Sequence, residues 1–365
     1  MIGRTTAGLV LLIGSAQAQD NLQLYGRFDA GVSYTTAVRG TQEGAAGSRW
    51  RGQSGNWGAS WLGLAGTEQL GGGDSAFFAL EAGIDLMHGT GNAGGDVLWG
   101  RKAHVGYRSR DWGEVKLGRD LSMGNYQWDM DPMMQELYSS SSLMRWRNSL
   151  VINHAISYQS PGWRGFDVYV QYAPGEQAEL DHHGRSEALQ LSYTGPRLKL
   201  RAQWDALRDE QGRYGNLFTA SRTWFAGAAY QLDPRTTLQA GYNHLSAPDT
   251  PAGLADSAHH VWFGARLQAT PRWLLSSGVY RMQVDGGAGD ATHDAAGHAT
   301  LLAAGAMYSL SKHTFWYLSL AQVRNADTSS FGVGARNPGS DNNNLDNPLP
   351  GRSQSGLYTG INASF

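Results

Sequence analysis

The chain ends on Ser355-Gly-Leu-Tyr-Thr-Gly-Ile-Asn-Ala-Ser-Phe365, and this stretch decides the fold. Leu357, Thr359, Ile361, Ala363 and Phe365 fall on one side of an extended backbone, whereas Tyr358, Gly360, Asn362 and Ser364 fall on the other. A period of two describes a strand with one dry face and one wet face. The same alternation opens the chain at Asn21 to Thr36, where Leu22, Leu24, Phe28, Ala30, Val32 and Tyr34 oppose Gln23, Arg27, Asp29 and Ser33. It returns at Phe166 to Tyr172, at Leu198 to Trp204 and at Val261 to Leu267.

Segments of this kind number about 16, an even count that suits a single-chain transmembrane barrel. The spacing predicts strands that begin at residues 21, 59, 75, 97, 114, 149, 166, 187, 197, 221, 236, 259, 273, 298, 314 and 355. Short turns at 70–74, 110–113, 195–196, 233–235, 270–272 and 311–313 alternate with long Gly-, Asn- and Asp-rich segments. The long segments are 37–57, 87–96, 121–147, 173–186, 247–257, 286–297 and 326–353. This rhythm is that of barrels with short turns on one rim and long loops on the other; a soluble β-sandwich gives no reason for it.

Composition agrees. Of 365 residues 49 are glycine and 39 are aromatic (13 Trp, 16 Tyr, 10 Phe), while charged residues make up only 16%. The mean hydropathy of −0.41 looks soluble, as it does when each apolar position is followed by a polar one. The absence of cysteine excludes disulfides, thiolate metal sites and cysteine nucleophiles. Arg4, the apolar run Ala7 to Gly14 and the Ala16-Gln17-Ala18 site read as a secretory signal over 1–18, leaving 19–365 as one pore-forming domain. Cleavage there would change the net charge from −2 to −3, which argues against a nucleic-acid partner. No stretch reaches the ~20 apolar residues of a spanning helix, so a membrane passage must be made by strands.

An Arg or Lys facing lipid at the midplane costs about 2–4 kcal/mol. Arg27, Lys199, Arg201 and Arg266 therefore belong on the inner wall, opposite the apolar set. With about 16 strands the interior is too wide for side chains to fill and must hold water, which implies a channel.

The motifs LYGRFDAGV (24–32), LGLAGTEQLGGGDSAFFALEAG (62–83), WGRKAHVG (99–106), DWGEVKLGRD (111–120), SYQSPGWRGFDVYVQY (157–172), YSLSKHT (308–314) and the terminal Phe365 occur in this order. Together they resemble the general porins of Gram-negative bacteria, in particular the β-proteobacterial type, over the whole mature chain. The resemblance implies an all-β, antiparallel transmembrane barrel whose third external loop, here Leu121 to Arg147, folds inward. It further implies a homotrimer in the outer membrane, reached through the periplasm, in contact with membrane lipid and lipopolysaccharide, passing small hydrophilic solutes and ions without a cofactor. It places loop carboxylates Asp129, Asp131 and Glu136 against wall arginines Arg27, Arg101 and Arg147 at the constriction, with Arg145 as a rival for Arg147. Arg119 resembles a residue used at the subunit interface. Many relatives carry an arginine where this chain has Trp61, which weighs against strong anion selectivity. Alternation leaves the facing of Lys102 and His104 open.

The rival readings are an outer-membrane barrel enzyme, such as a lipase or protease, and a secreted carbohydrate-binding β-protein; no nucleophile motif favours the former. Gly89 to Gly94 matches GxGxxG in a loop with no following helix, so it is not a nucleotide site. The adjacent pairs His182-His183 and His259-His260 point apart on a strand and do not make a metal site. Asp341 to Asn347 is rich in oxygen ligands but lacks the glycine of an EF-hand calcium loop, and it reads as a surface loop.

Overall fold

The computed structural model describes residues 22–40, 42, 44–91, 97–134, 136–175, 182–326, 328–334 and 346–365. The signal reading over 1–18, Asn92 to Gly94 of the GxGxxG match and Asp341 to Leu345 lie outside these residues.

A bilayer core offers no water to a backbone N–H or C=O, so a sheet that crosses it must close on itself. This one does. In chain order the wall consists of β1 (Gln23–Arg39), β2 in two segments (Ala46–Ser54 and Trp61–Gly71), β3 (Asp74–Asp85), β4 (Lys102–Ser109), β5 (Gly113–Leu121), β6 (Val151–Gln159), β7 (Phe166–Ala173) and β8 (Ser186–Thr194). It continues through β9 (Leu198–Leu207), β10 (Arg222–Gln231), β11 (Thr236–Ser246), β12 (Ser257–Gln268), β13 (Trp273–Asp285), β14 (Gly297–Ser309), β15 (Thr314–Asn325) and β16 (Gln354–Ser364). Each strand pairs antiparallel with its sequence neighbour, and β16 pairs back onto β1 from Thr35↔Gly356 to Arg27↔Ser364. The result is a closed 16-stranded antiparallel barrel.

The terminal residue takes part in closure. Gly26 and Phe365 exchange two backbone hydrogen bonds, of 3.1 and 3.2 Å, and the Phe365 ring packs 5.3 Å from that of Phe28. A Cβ on Gly26 would lie 2.8 Å from the Phe365 ring, so only glycine admits this contact.

Burial is inverted relative to a soluble protein. Phe263, Ile361 and Leu191 are about half exposed (55, 52 and 48%), whereas Gln239, Asn243 and Ser319 are nearly inaccessible (1, 0 and 4%). The apolar set faces outward to lipid and the polar set inward, as the cost of a lipid-facing charge requires.

One feature differs from the expectation. Residues 37–57 do not form one long loop: 46–54 continue the wall beside β1, and only 55–60 interrupt β2. The buried carboxylate of Asp29 holds this break, accepting from the backbone N–H of Asn56 (2.8 Å) and Trp57 (3.3 Å), from Tyr317 Oη (2.8 Å) and from Asn362 Nδ2 (3.1 Å). The segment between β5 and β6 carries a 3-10 helix, Met123–Met130, and a single α-turn, Ser140–Leu143. Its Met130, Met133, Leu143 and Met144 share an apolar cluster with Trp262, Tyr280, Tyr317 and Tyr358 of the wall.

Asp29 ties the β2 break to β15 and β16 at the seam. Asp29→Ala orphans several buried donors at about 1–3 kcal/mol each. The expected outcome is a loss of about 3 kcal/mol or more in detergent-refolding titrations, with the barrel still formed.

Candidate functional site at the pore constriction

The segment 122–150 is seated on the wall by matched surfaces. A Cβ on Gly264 or Gly278 would stand 2.6 or 2.9 Å from Pro132 Cγ, so these two glycines admit the proline ring. Trp262 Nε1 donates to Met130 O (2.9 Å), Gln239 Nε2 to Asp129 O (2.7 Å), and Gln127 Nε2 to Gln203 Oε1 (3.0 Å). On the side of the β2 break, Leu137 N–H donates to Asn56 O (2.9 Å).

The carboxylates expected at the constriction belong to this seat. Asp131 is fully buried and accepts from Met133 N–H (2.8 Å), Ser140 N–H (3.0 Å) and Tyr280 Oη (2.7 Å). Glu136 is 6% exposed and accepts from Ser319 Oγ (2.8 Å). Asp129 forms a two-pronged ion pair with Arg201 of β9. Arg147 is buried against the wall, paired with Asp205 and donating to Ser221 Oγ (3.1 Å). The rival Arg145 is buried on Asp294 and lies 4.2 Å over the Phe331 ring. Burial raises the pKa of both loop acids: Asp131 upward, with hydrogen bonds from Ser140 and Tyr280 opposing, and Glu136 up to about 8, reinforced by the neighbouring Asp131 and Asp29 charges.

Arg27 and Arg101 lie elsewhere. They line a cavity of about 780 Å³ between the loop and the wall of β1 to β6. Arg27 donates to Ala59 O (3.1 Å from Nη2) and sits 5.3 Å over the Trp57 ring. Arg101 bonds Glu81 (3.2 Å) and sits 5.7 Å over Trp61. Lys102 also reaches Glu81 (2.9 Å), which settles its facing as inward. His104, two residues on, is buried beside Asp120 at 3.8 Å. Arg119 lines the cavity as well, donating to Gly100 O (2.8 Å from Nη2). Among the described residues the lining thus holds four cations, Arg27, Arg101, Lys102 and Arg119, and one carboxylate, Glu81. The loop presents Tyr126, Trp128, Met134, Leu137 and Trp146 to it, none charged.

Of the six residues expected at the constriction, the structure brings two together at this cavity and places four in the seat of the loop. Lys102, Glu81 and the indoles were not assigned from sequence. Glu81 follows Phe77 and Ala79 on one strand face, and that spacing of two was the available signal. Of the oxygen-rich tract, Asp346 pairs with Arg49 and Arg51; no cluster of metal ligands occurs among the described residues.

Comparison with known proteins agrees with this architecture. Residues 5–328 match the family model described as Gram-negative porin. The chain is 26% identical over 368 residues, 96% of each sequence, to outer membrane porin protein 32 of Delftia acidovorans. In fold it is similar to the anion-selective porin from Comamonas acidovorans (TM-score 0.76, 24% identity, 95% of this chain and 100% of that one). It is also similar to the trimer form of OmpT from Vibrio cholerae (TM-score 0.65, 13% identity, 95% and 99%).

The raised Glu136 pKa makes the loop seat pH-dependent. Between the ordinary carboxylate value of 4.5 and about 8, an undocked Glu136 is ionised while the docked one keeps its proton. Docking therefore weakens as pH rises through that window, by up to about 1.4 kcal/mol per pH unit, and levels off above it. Open-channel current noise is expected to grow from pH 5 to 8 and then plateau. Glu136→Gln is expected to be flat over the same range; an equal slope in the variant would assign the effect to another group.

Proposed function

Because the chain belongs to the Gram-negative porin family and is an outer-membrane channel, we propose that it passes small hydrophilic solutes and ions by passive diffusion with a preference for anions. The observation that carries this is the uneven placement of charge at the 780 Å³ cavity. The described carboxylates of 122–150 are turned to the far wall, and the near wall keeps cations that, among the described lining residues, only Glu81 offsets. The loop bonds to side chains on the face opposite the lipid-exposed set, which supports its folding inward to narrow the pore. Wall cations at a narrow, partly desolvated passage raise the local concentration of anions.

In this reading Arg27, Arg101 and Lys102 set the ion preference. Asp129, Asp131, Glu136 and Arg147 hold the loop in place. Trp61 removes one wall charge relative to many relatives, yet the remaining lining is still positive. The working form is a homotrimer, supported by the trimer form of a protein of like fold, and transport involves no chemical turnover.

Removing one lumenal charge at a distance of about 8 Å changes ion energies by about 0.5–1 kcal/mol at low salt. Arg27→Ser and Arg101→Ser are each expected to lower the chloride-to-potassium permeability ratio by a factor of about two to five at 0.1 M salt, and by less at 1 M, where the screening length falls to about 3 Å. The measurement is the reversal potential across a planar bilayer under a potassium chloride gradient. A ratio unchanged in both variants would remove these arginines from the conduction path.

A further inference from the structure

A preference for anions needs cations and water; it does not need indoles. Yet four tryptophans, Trp57, Trp61, Trp128 and Trp146, line the same cavity as the cations. They come from three places in the chain: the β2 break, the start of its second segment and the β5–β6 loop. They face the cavity rather than lipid, so the membrane-interface role of aromatic girdles does not account for them. Trp128 leaves 49% of its surface exposed. Trp146 and the preceding Arg145 both adopt left-handed backbone, at φ 73° and 45°, a conformation that non-glycine residues take only when the surroundings impose it.

The indoles and the cations are interleaved. Arg27 lies over Trp57 and Arg101 over Trp61, so each pair offers a positive group beside an aromatic one. Arg27 has no carboxylate partner among the described residues, whereas Arg101 and Lys102 share Glu81. A solute that satisfies both elements carries a carboxylate and a flat ring. Inorganic anions gain nothing from the indole faces. Neutral sugars stack on indoles but also call for hydrogen-bond acceptors, and the only carboxylate in the described lining, Glu81, already serves Arg101, Lys102 and Tyr25. The volume is ample for a one-ring acid with water.

Resting on the anion-favouring reading above, we propose that this cavity is a transit site for small aromatic carboxylates, with Arg27 taking the carboxylate and the half-exposed indole of Trp128 receiving the ring, while Trp57 and Trp61, packed on Phe315 and Tyr25, hold the two arginines. The test is single-channel chloride current through the full-length protein in a planar bilayer, with benzoate, acetate or benzyl alcohol added. Benzoate is expected to reduce the current at concentrations about fivefold below acetate, the gain of one aromatic contact, and benzyl alcohol to act no better than acetate. Trp128→Ala should bring benzoate to the acetate level while Trp128→Phe retains most of the difference; heat-dependent gel migration confirms that each variant is folded. Equal effects of benzoate and acetate in a channel that still favours chloride would overturn this inference alone. Equal effects of benzyl alcohol and benzoate would overturn the part assigned to Arg27. A channel favouring potassium would overturn the reading on which it rests.

Discussion

Lipid gives an unpaired backbone amide nothing to bond to, and every other feature of this molecule follows from the sheet having to meet itself. The seam between β1 and β16 is where that demand is met, and the chain commits its last residue to it through the Gly26–Phe365 backbone pair. Closure also defines an inside. Once the wall is a cylinder of 16 strands, side chains pointing inward cannot reach one another across it, and the space is taken up by chain or by water. Segment 122–150 packs against β9 to β16, where glycines and aromatics receive it. A cavity remains beside β1 to β6.

That division sets the electrostatics. An acid in the loop has either wall available as a partner, and in this chain Asp129, Asp131 and Glu136 all turn to the wall on which the loop rests. Asp129 is paired with Arg201 there, while Asp131 and Glu136 are buried among hydroxyl and N–H donors. The same contacts that immobilise the loop therefore withdraw its negative charge from the passage. In the proposed reading the field at the constriction then comes from one side, with the sign of Arg27, Arg101 and Lys102, and the contacts that fix the loop also favour anions.

Much of this was legible in the residues. Fifteen of the anticipated starts fall within two residues of the start of an observed strand or, for 59, of the second segment of β2, because a strand with lipid on one side and water on the other must alternate. The exception, β4, was anticipated at 97 and begins at Lys102. The β2 break escaped notice because 46–54, AGSRWRGQS, has too little apolar content to show alternation, being mostly exposed on both faces. The loop seat left a trace in one strand: β14 is largely apolar on both alternating sets, as in Leu301-Leu-Ala-Ala-Gly305, which a water-lined wall does not require. What could not be read was the choice of partner by each loop acid. Asp129 differs from Asp131 only in where the folded loop carries it, and that depends on contacts with strands more than 70 residues away, such as Arg201.

The claim that loop acids are withdrawn while wall cations are not is tested most directly by the sign of the reversal potential of the unaltered channel in a tenfold potassium chloride gradient at neutral pH. The expected sign is that of an anion-selective pore, weakening as salt is raised. A cation-selective sign would mean that the carboxylates of 122–150 face the passage after all, and would contradict it.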